Sequence, residues 1–305
     1  MVVRPLGVED LEAVVGRVGT NLARDAARNP LINAAFSAEV FSLALAHARE
    51  HTWVALDEQG VVGHLYGALL ESPADGPGAW VGPDGVSFDD GATLAALYAT
   101  AGNSWTLRGA RDHYVWARDD DEATRPWHDL GFARAQVRGV LDLSRRASAA
   151  LTDGYALRRG GLVDLEIALR LDRILDAAEG RARHSVVDDV VAREEWRELL
   201  EDDDVNYYVV EFRGDAVAQC LTYPLSPRRG SFDDSLHVSA VVVTPTHQHR
   251  GVARALVDVA LDDAWRAGFR YAETNWRVTN ERAGSFWRRF GFTPTYVRLH
   301  RTNGL

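Results

Sequence analysis

Along the chain, Leu236 to Val243 is a β-branched run long enough for one buried strand. Thr244-Pro245 ends it, because proline removes a ladder donor and restricts the residue before it. After Gln248-His249-Arg250-Gly251, apolar residues at Val252, Ala255, Leu256, Val259, Ala260 and Ala264 fall at helical spacing. A strand, a tight glycine loop and a helix leave several backbone N–H groups unpaired at the positive end of a helix dipole. Such a terminus suits an anion, phosphate above all. Gly251 allows close approach of the backbone, and Arg250 and Arg254 add positive charge.

The same succession of patterns occurs twice. Val3 to Glu12 aligns with Leu157 to Glu166, with Arg4 on Arg158 and Glu12 on Glu166, an offset of 154. Each copy reads as a short strand, a turn and a helix start with acids in its first turn. Hairpins follow: Trp53 to Leu56, a turn at Asp57 to Gly60, then Val61 to Leu70, against Tyr208 to Phe212, a turn at Arg213-Gly214, then Ala216 to Tyr223. Further on, Trp116, Trp127 and Gly131-Phe132 match Trp276, Trp287 and Gly291-Phe292 at an offset of 160. These landmarks predict two similar α/β domains, 1–148 and 149–305, joined around the polar, small-residue segment Leu143 to Tyr155. In the first copy the anion loop is replaced by Gly82-Pro83-Asp84-Gly85 and by Asp89-Asp90 before a helix over Ala92 to Ala101. Two carboxylates at that terminus cap the helix and repel a pyrophosphate.

Gln248-x-x-Gly251-x-Ala253, following a strand that ends Val-x-Pro, resembles the acetyl-CoA pyrophosphate loop of the GCN5-related N-acetyltransferases (GNAT). Downstream, Asn280-x-x-Ala283-x-x-Phe286-Trp287-x-x-x-Gly291-Phe292 resembles a later motif of that family in spacing and in all but one residue. The resemblance covers the whole chain, the second half more specifically. It implies two tandem GNAT-like domains, each a mixed, mostly antiparallel central sheet flanked by helices, the first copy degenerate. It also implies a sheet that splays between its fourth and fifth strands, with an acyl-CoA arm in the gap.

On that footing the expected cofactor-binding residues are Val241, Val242 and Val243 (through their backbones), Gln248, His249, Arg250, Gly251, Val252, Ala253, Arg254 and Asn280. Asn280 is at the same time a good helix N-cap. Two residues stand as catalytic candidates. His237 lies where several GNAT members carry a proton-removing group, and a neutral imidazole suits that task; a hydrogen-bonded strand histidine is the other reading. Strict alternation would put His237, Ser239, Val241 and Val243 on one face. The Val243 N–H is the candidate donor to a developing oxyanion. Trp287 departs from the family pattern, which often has a tyrosine there; indole cannot release a proton. Tyr296 and Ser285 are the nearby alternatives.

The expected activity is transfer of an acetyl group from acetyl-CoA directly to an amine, a small molecule first, with a protein N-terminus or side chain open. A non-catalytic acyl-CoA-binding protein and a transferase for another acyl group stay open. Composition narrows the partners. The 305 residues are 46% hydrophobic and 26% charged, those of a globular protein long enough for two domains. All the basic residues are arginine, and the net charge of −10 argues against nucleic acid. No apolar run suits a membrane span, the N-terminus does not read as a signal peptide, and the single cysteine, Cys220, fits a cytoplasmic location. His247 and His249 lack the clustered ligands of a metal site, so no metal is expected. The run Glu201 to Asp204 reads as a solvated turn or as a carboxylate cluster that steers a cationic amine. The sequence carries no signal for oligomeric state.

Overall fold

The computed structural model describes residues 1–72, 76–145, 151, 154–179, 186–226 and 230–303. Its strands are β1 (Val2–Pro5), β2 (Thr52–Asp57), β3 (Gly60–Tyr66), β4 (Ala68–Ser72), β5 (Gly76–Val81), β6 (Val86–Phe88) and β7 (Asp112–Arg118). They continue with β8 (Ala133–Asp142), β9 (Tyr155–Arg159), β10 (Asn206–Phe212), β11 (Asp215–Pro224), β12 (Ser235–Val243), β13 (Tyr271–Arg277) and β14 (Thr293–Thr302). The helices are α1 (Leu11–Arg28), α2 (Ala38–His47), α3 (Gly91–Leu107) and α4 (Asp121–Asp129), then α5 (Leu165–Ala178), α6 (Val186–Glu201), α7 (Val252–Arg266) and α8 (Glu281–Phe290).

Two compact units result, and neither is one run of chain. The first comprises Met1–Val137 and Pro294–Leu305, with a short stretch at Arg228–Phe232; the second comprises Arg138–Pro227 and Asp233–Thr293. The division expected at 148/149 follows sequence order, whereas the units follow strand pairing. They assign the end of β8 to the second unit and nearly all of β14 to the first. Of the expected linker, 146–150 and 152–153 lie outside the described residues.

In the first unit, β1, β2, β3 and β6 form an antiparallel sheet. β4 and β5 form a hairpin, β5 runs parallel to β7, and β14 lies antiparallel along β7 from Tyr296 opposite Arg118 to Thr302 opposite Asp112. The single strand expected over Val61 to Leu70 is two. They part at Gly67, where a Cβ would come within 2.5 Å of the Trp105 ring. Helices α1 and α2 cover the sheet through Val14, Val18, Leu22, Phe41 and Leu45.

In the second unit the order is β8, β13, β12, β11, β10, β9. Its core joins Ala168 and Leu169 of α5 and Trp196 of α6 to Tyr207, Val209 and Leu221 of the sheet. The helix α7 ends as its sequence dictates. Gly268 takes φ 102°, its N–H bonds to the Trp265 carbonyl, and Phe269 N–H bonds to Ala264.

The two copies reuse the same local devices. Arg4 makes a bidentate pair with Asp10 (2.7 and 3.0 Å), and Arg158 makes the same pair with Asp164 (2.7 and 2.9 Å). Trp127 meets Phe132 edge-on at 5.1 Å, and Trp287 meets Phe292 at 5.0 Å. In each, the glycine between them has positive φ, and the phenylalanine N–H returns to the tryptophan carbonyl.

Candidate active site

The parallel pair β12–β13 lasts three residues, Ser235 to His237 against Tyr271 to Glu273. Thr274 Oγ1 then donates to the Val238 carbonyl, and β12 continues without a β13 partner. This is the divergence of fourth and fifth strands that the resemblance implies. Past that point β12 carries a bulge. Ser239 faces Leu221 and Val242 faces Gln219, so two residues, Ala240 and Val241, stand where β11 has one. Ala240 takes φ 50° to allow it. The extra residue inverts the alternation: Val242, not Val243, continues the face of His237 and Ser239, which corrects the strict alternation expected from sequence.

The loop after β12 is built from left-handed residues. His249 has φ 61° and Gly251 φ 79°, so Gly251 is the N-cap of α7 with no side chain to cap it. The first intrahelical bond is donated by Ala255 to the Gly251 carbonyl. The N–H groups of Val252, Ala253 and Arg254 precede it and have no acceptor within the helix. A Cβ placed at Gly251 would meet nothing within 4 Å, so open space lies before the terminus. Gln248 braces the loop: its Nε2 donates to the Val243 carbonyl at 3.0 Å, and its Oε1 accepts from Arg282 at 3.1 Å.

A cavity of about 400 Å³ opens here, between the end of β12, the start of α7, α8 and the last turns of α5. Of the expected cofactor-binding residues, Val241, Val242, Val243, Gln248, His249, Gly251, Val252, Ala253, Arg254 and Asn280 line it. Arg250 is exposed and is not among them. Asn280 caps α8, accepting from the Ala283 N–H at 3.0 Å. Sequence reading missed Ile174, Leu175 and Ala178 on α5, which complete the apolar wall, and Arg282 and Arg289, which add positive charge. The signal for the first three was an amphipathic helix, which reads equally as core. Nothing in the two motifs pointed to the arginines.

Of the two catalytic candidates, Val243 is in this lining and His237 is not. His237 is buried, 8% exposed, and packs at 5.3 Å from the Tyr223 ring. Trp287 is buried against Phe290 and Phe292 and reaches the cavity wall. Ser285 is exposed, and Tyr296 belongs to the first unit, where its ring packs on Gly230. Glu201 to Asp204 are all exposed. Cys220 is fully buried in β11, and burial pushes its thiol up, away from reactivity. Among the described residues, no group of histidines, cysteines and carboxylates is placed to hold a metal, and no helix is long and apolar enough to cross a membrane.

Residues 171–292 match the model of the acetyltransferase (GNAT) family. No curated protein matches the chain significantly. Among solved structures, a GCN5-related N-acetyltransferase from Sphaerobacter thermophilus is similar over 100% of this chain and 96% of its own, at TM-score 0.63 and 16% identity. A tandem GNAT protein from the clavulanic acid biosynthesis pathway, solved without acetyl-CoA, is similar over 100% and 99%, at TM-score 0.57 and 19% identity. A GCN5-related glucosamine N-acetyltransferase region of a fungal multi-domain β-N-acetylglucosaminidase is similar over 98% of this chain and 38% of its own, at TM-score 0.57 and 14% identity.

Proposed function

From a chain that has the fold of tandem GNAT proteins and carries a domain of the acetyltransferase (GNAT) family at residues 171–292, we propose an N-acetyltransferase that moves an acetyl group from acetyl-CoA to a small-molecule amine. The observation that carries this is the uncapped N-terminus of α7, with glycine at its cap, opening on a cavity of about 400 Å³. The residues present fit the donor. Three N–H groups and the charges of Arg254, Arg282 and Arg289 suit its phosphates, while the apolar wall from Ile174 to Phe290 suits its arm. Acetyl-CoA supplies an activated thioester.

This chain's residues would then do three things. The loop from Gln248 to Ala253 holds the diphosphate through its backbone. The end of β12 lies along the arm, and a backbone N–H there, that of Val243, stabilises the charge that develops on the acyl oxygen. His237 takes the proton from the amine as its nitrogen bonds to the acyl carbon and the C–S bond breaks. Positioning of the two reactants supplies much of the rate. Trp287 offers no proton to the departing thiolate. That feature favours a second reading, a protein that binds acyl-CoA without turning it over.

Two measurements separate the readings. Titration with acetyl-CoA should show saturable binding, and thiol release with a panel of amines should show steady turnover that His237→Ala lowers about 100-fold. Binding without turnover on any amine leaves the second reading; no binding removes both. A chain-length series of acyl-CoAs fixes the acyl group.

A further inference from the structure

His237 and Glu273 are register partners across the parallel β12–β13 pair, so their side chains leave the sheet on one face. On its other side His237 is the register partner of Tyr223 on β11. Beyond Glu273, Arg138 on β8 brings its Nε within 3.9 Å of Glu273 Oε2. A row of four polar side chains thus crosses four adjacent strands, Tyr223, His237, Glu273 and Arg138. It lies where β12 and β13 part. Glu273 is 0% exposed and Arg138 3%, so two ionisable groups are held in the interior of the second unit.

Each buried ion forfeits its water shell, at a cost of several kcal/mol, and apolar side chains of the same volume often hold a structure as well or better. A buried ion pair is therefore weak grounds for stability, and a charged row across the sheet calls for another role.

We infer that Glu273 is a positioning residue for His237. Its carboxylate accepts the N–H of one imidazole nitrogen, which fixes the tautomer and leaves the second nitrogen to take a proton, and Arg138 balances the carboxylate's charge. This rests on the reading of His237 as the base.

The test uses the full-length protein. Glu273→Gln keeps the size and removes the charge. It should lower kcat about 10-fold with KM for acetyl-CoA unchanged. In the His237→Ala background the same replacement should cost nothing more, whereas a purely structural role gives the same loss in both backgrounds. The ring 15N shifts of His237 give a readout that needs no turnover: one dominant neutral tautomer in the wild type, and a mixture in Glu273→Gln. Unchanged shifts overturn the inference. Should Glu273→Gln fail to fold, Arg138→Met leaves the carboxylate in place and should move the same resonances; if it does not, the inference falls. If His237→Ala leaves kcat unaltered while the tautomer still responds to position 273, the base assignment fails and the pairing stands.

Discussion

The helices α3 and α7 occupy the same place in the two copies, each following the strand that precedes the parallel pair's partner, and their first turns differ in one decisive way. At α3 the cap is Asp90, whose carboxylate accepts the Thr93 N–H at 2.7 Å. At α7 it is Gly251, which has no side chain to cap the terminus. The ground beneath α3 is filled as well. Arg17 reaches Ser87, the Val61 and Val62 carbonyls and Asp89, and His64 shares Ser87 with it at 2.7 Å. In the second copy the positions matching Arg17 and His64 are Leu171 and Gln219, both buried and uncharged. On the neighbouring helix turns, Thr20, Asn21 and Arg24 of α1 stand where α5 has the cavity-lining Ile174, Leu175 and Ala178. One fold thus either caps its own helix terminus with a side chain or leaves it without one. Two elements, the cap and the face of the first helix, decide which.

The contrast can be broken most severely at Gly251. Gly251→Asp gives α7 the carboxylate cap of α3, and acetyl-CoA affinity measured by calorimetry should fall roughly 100-fold. The reverse change, Asp90→Gly, should create no binding in the first copy, because Arg17, His64 and Ser87 still fill the space.

A smaller effect separates the copies by pH. Burial holds the His64 imidazole down, to about 4, below the ordinary 6.5. Above pH 6.5 the ring is neutral folded or unfolded and costs nothing. Between 6.5 and 4 the unfolded chain binds a proton that the native state refuses, so stability falls by about 1.4 kcal/mol per pH unit. Gln219, in the matching place, has no such charge to gain. Hydrogen exchange at pH 7 and pH 5 should therefore show protection lost sooner in β3 and β6 than in β11; equal loss in β11 would end the distinction.

The smallest effects lie at the caps of the last helices. Asp120 accepts from Ala123 and Asn280 from Ala283, at 2.9 and 3.0 Å. Replacing either with alanine should lower stability by about 1 kcal/mol in a urea titration. Only Asn280→Ala should also weaken acetyl-CoA.

Much of this was legible in the chain because it is local. Gly251, Asp90 and Asn280 declare themselves by the backbone and capping chemistry their positions demand, and Gly131-Phe132 and Gly291-Phe292 by the turn they must make. The bulge at Ala240 was not legible. Alanine has no preference for φ 50°, and Val241-Val242-Val243 after it reads as an unbroken continuation of the strand. The partners of β8 and β14 were hidden for a related reason: an apolar strand fits any sheet whose faces are covered, so its neighbour is chosen by packing far away in sequence. Arg138 and Glu273 escaped notice because charge in sequence reads as surface, and only pairing across strands shows it buried.

The pairing of β14 with β7 sets a timetable for biosynthesis. Tyr296 to Thr302 close the sheet of the first unit against residues 112–118, so a nascent chain that has already emerged through β7 waits until β14 has been made before that edge is occupied. Until then the edge of β7 is an open template for stray strands, and a polypeptide terminated at 148 would keep it so permanently.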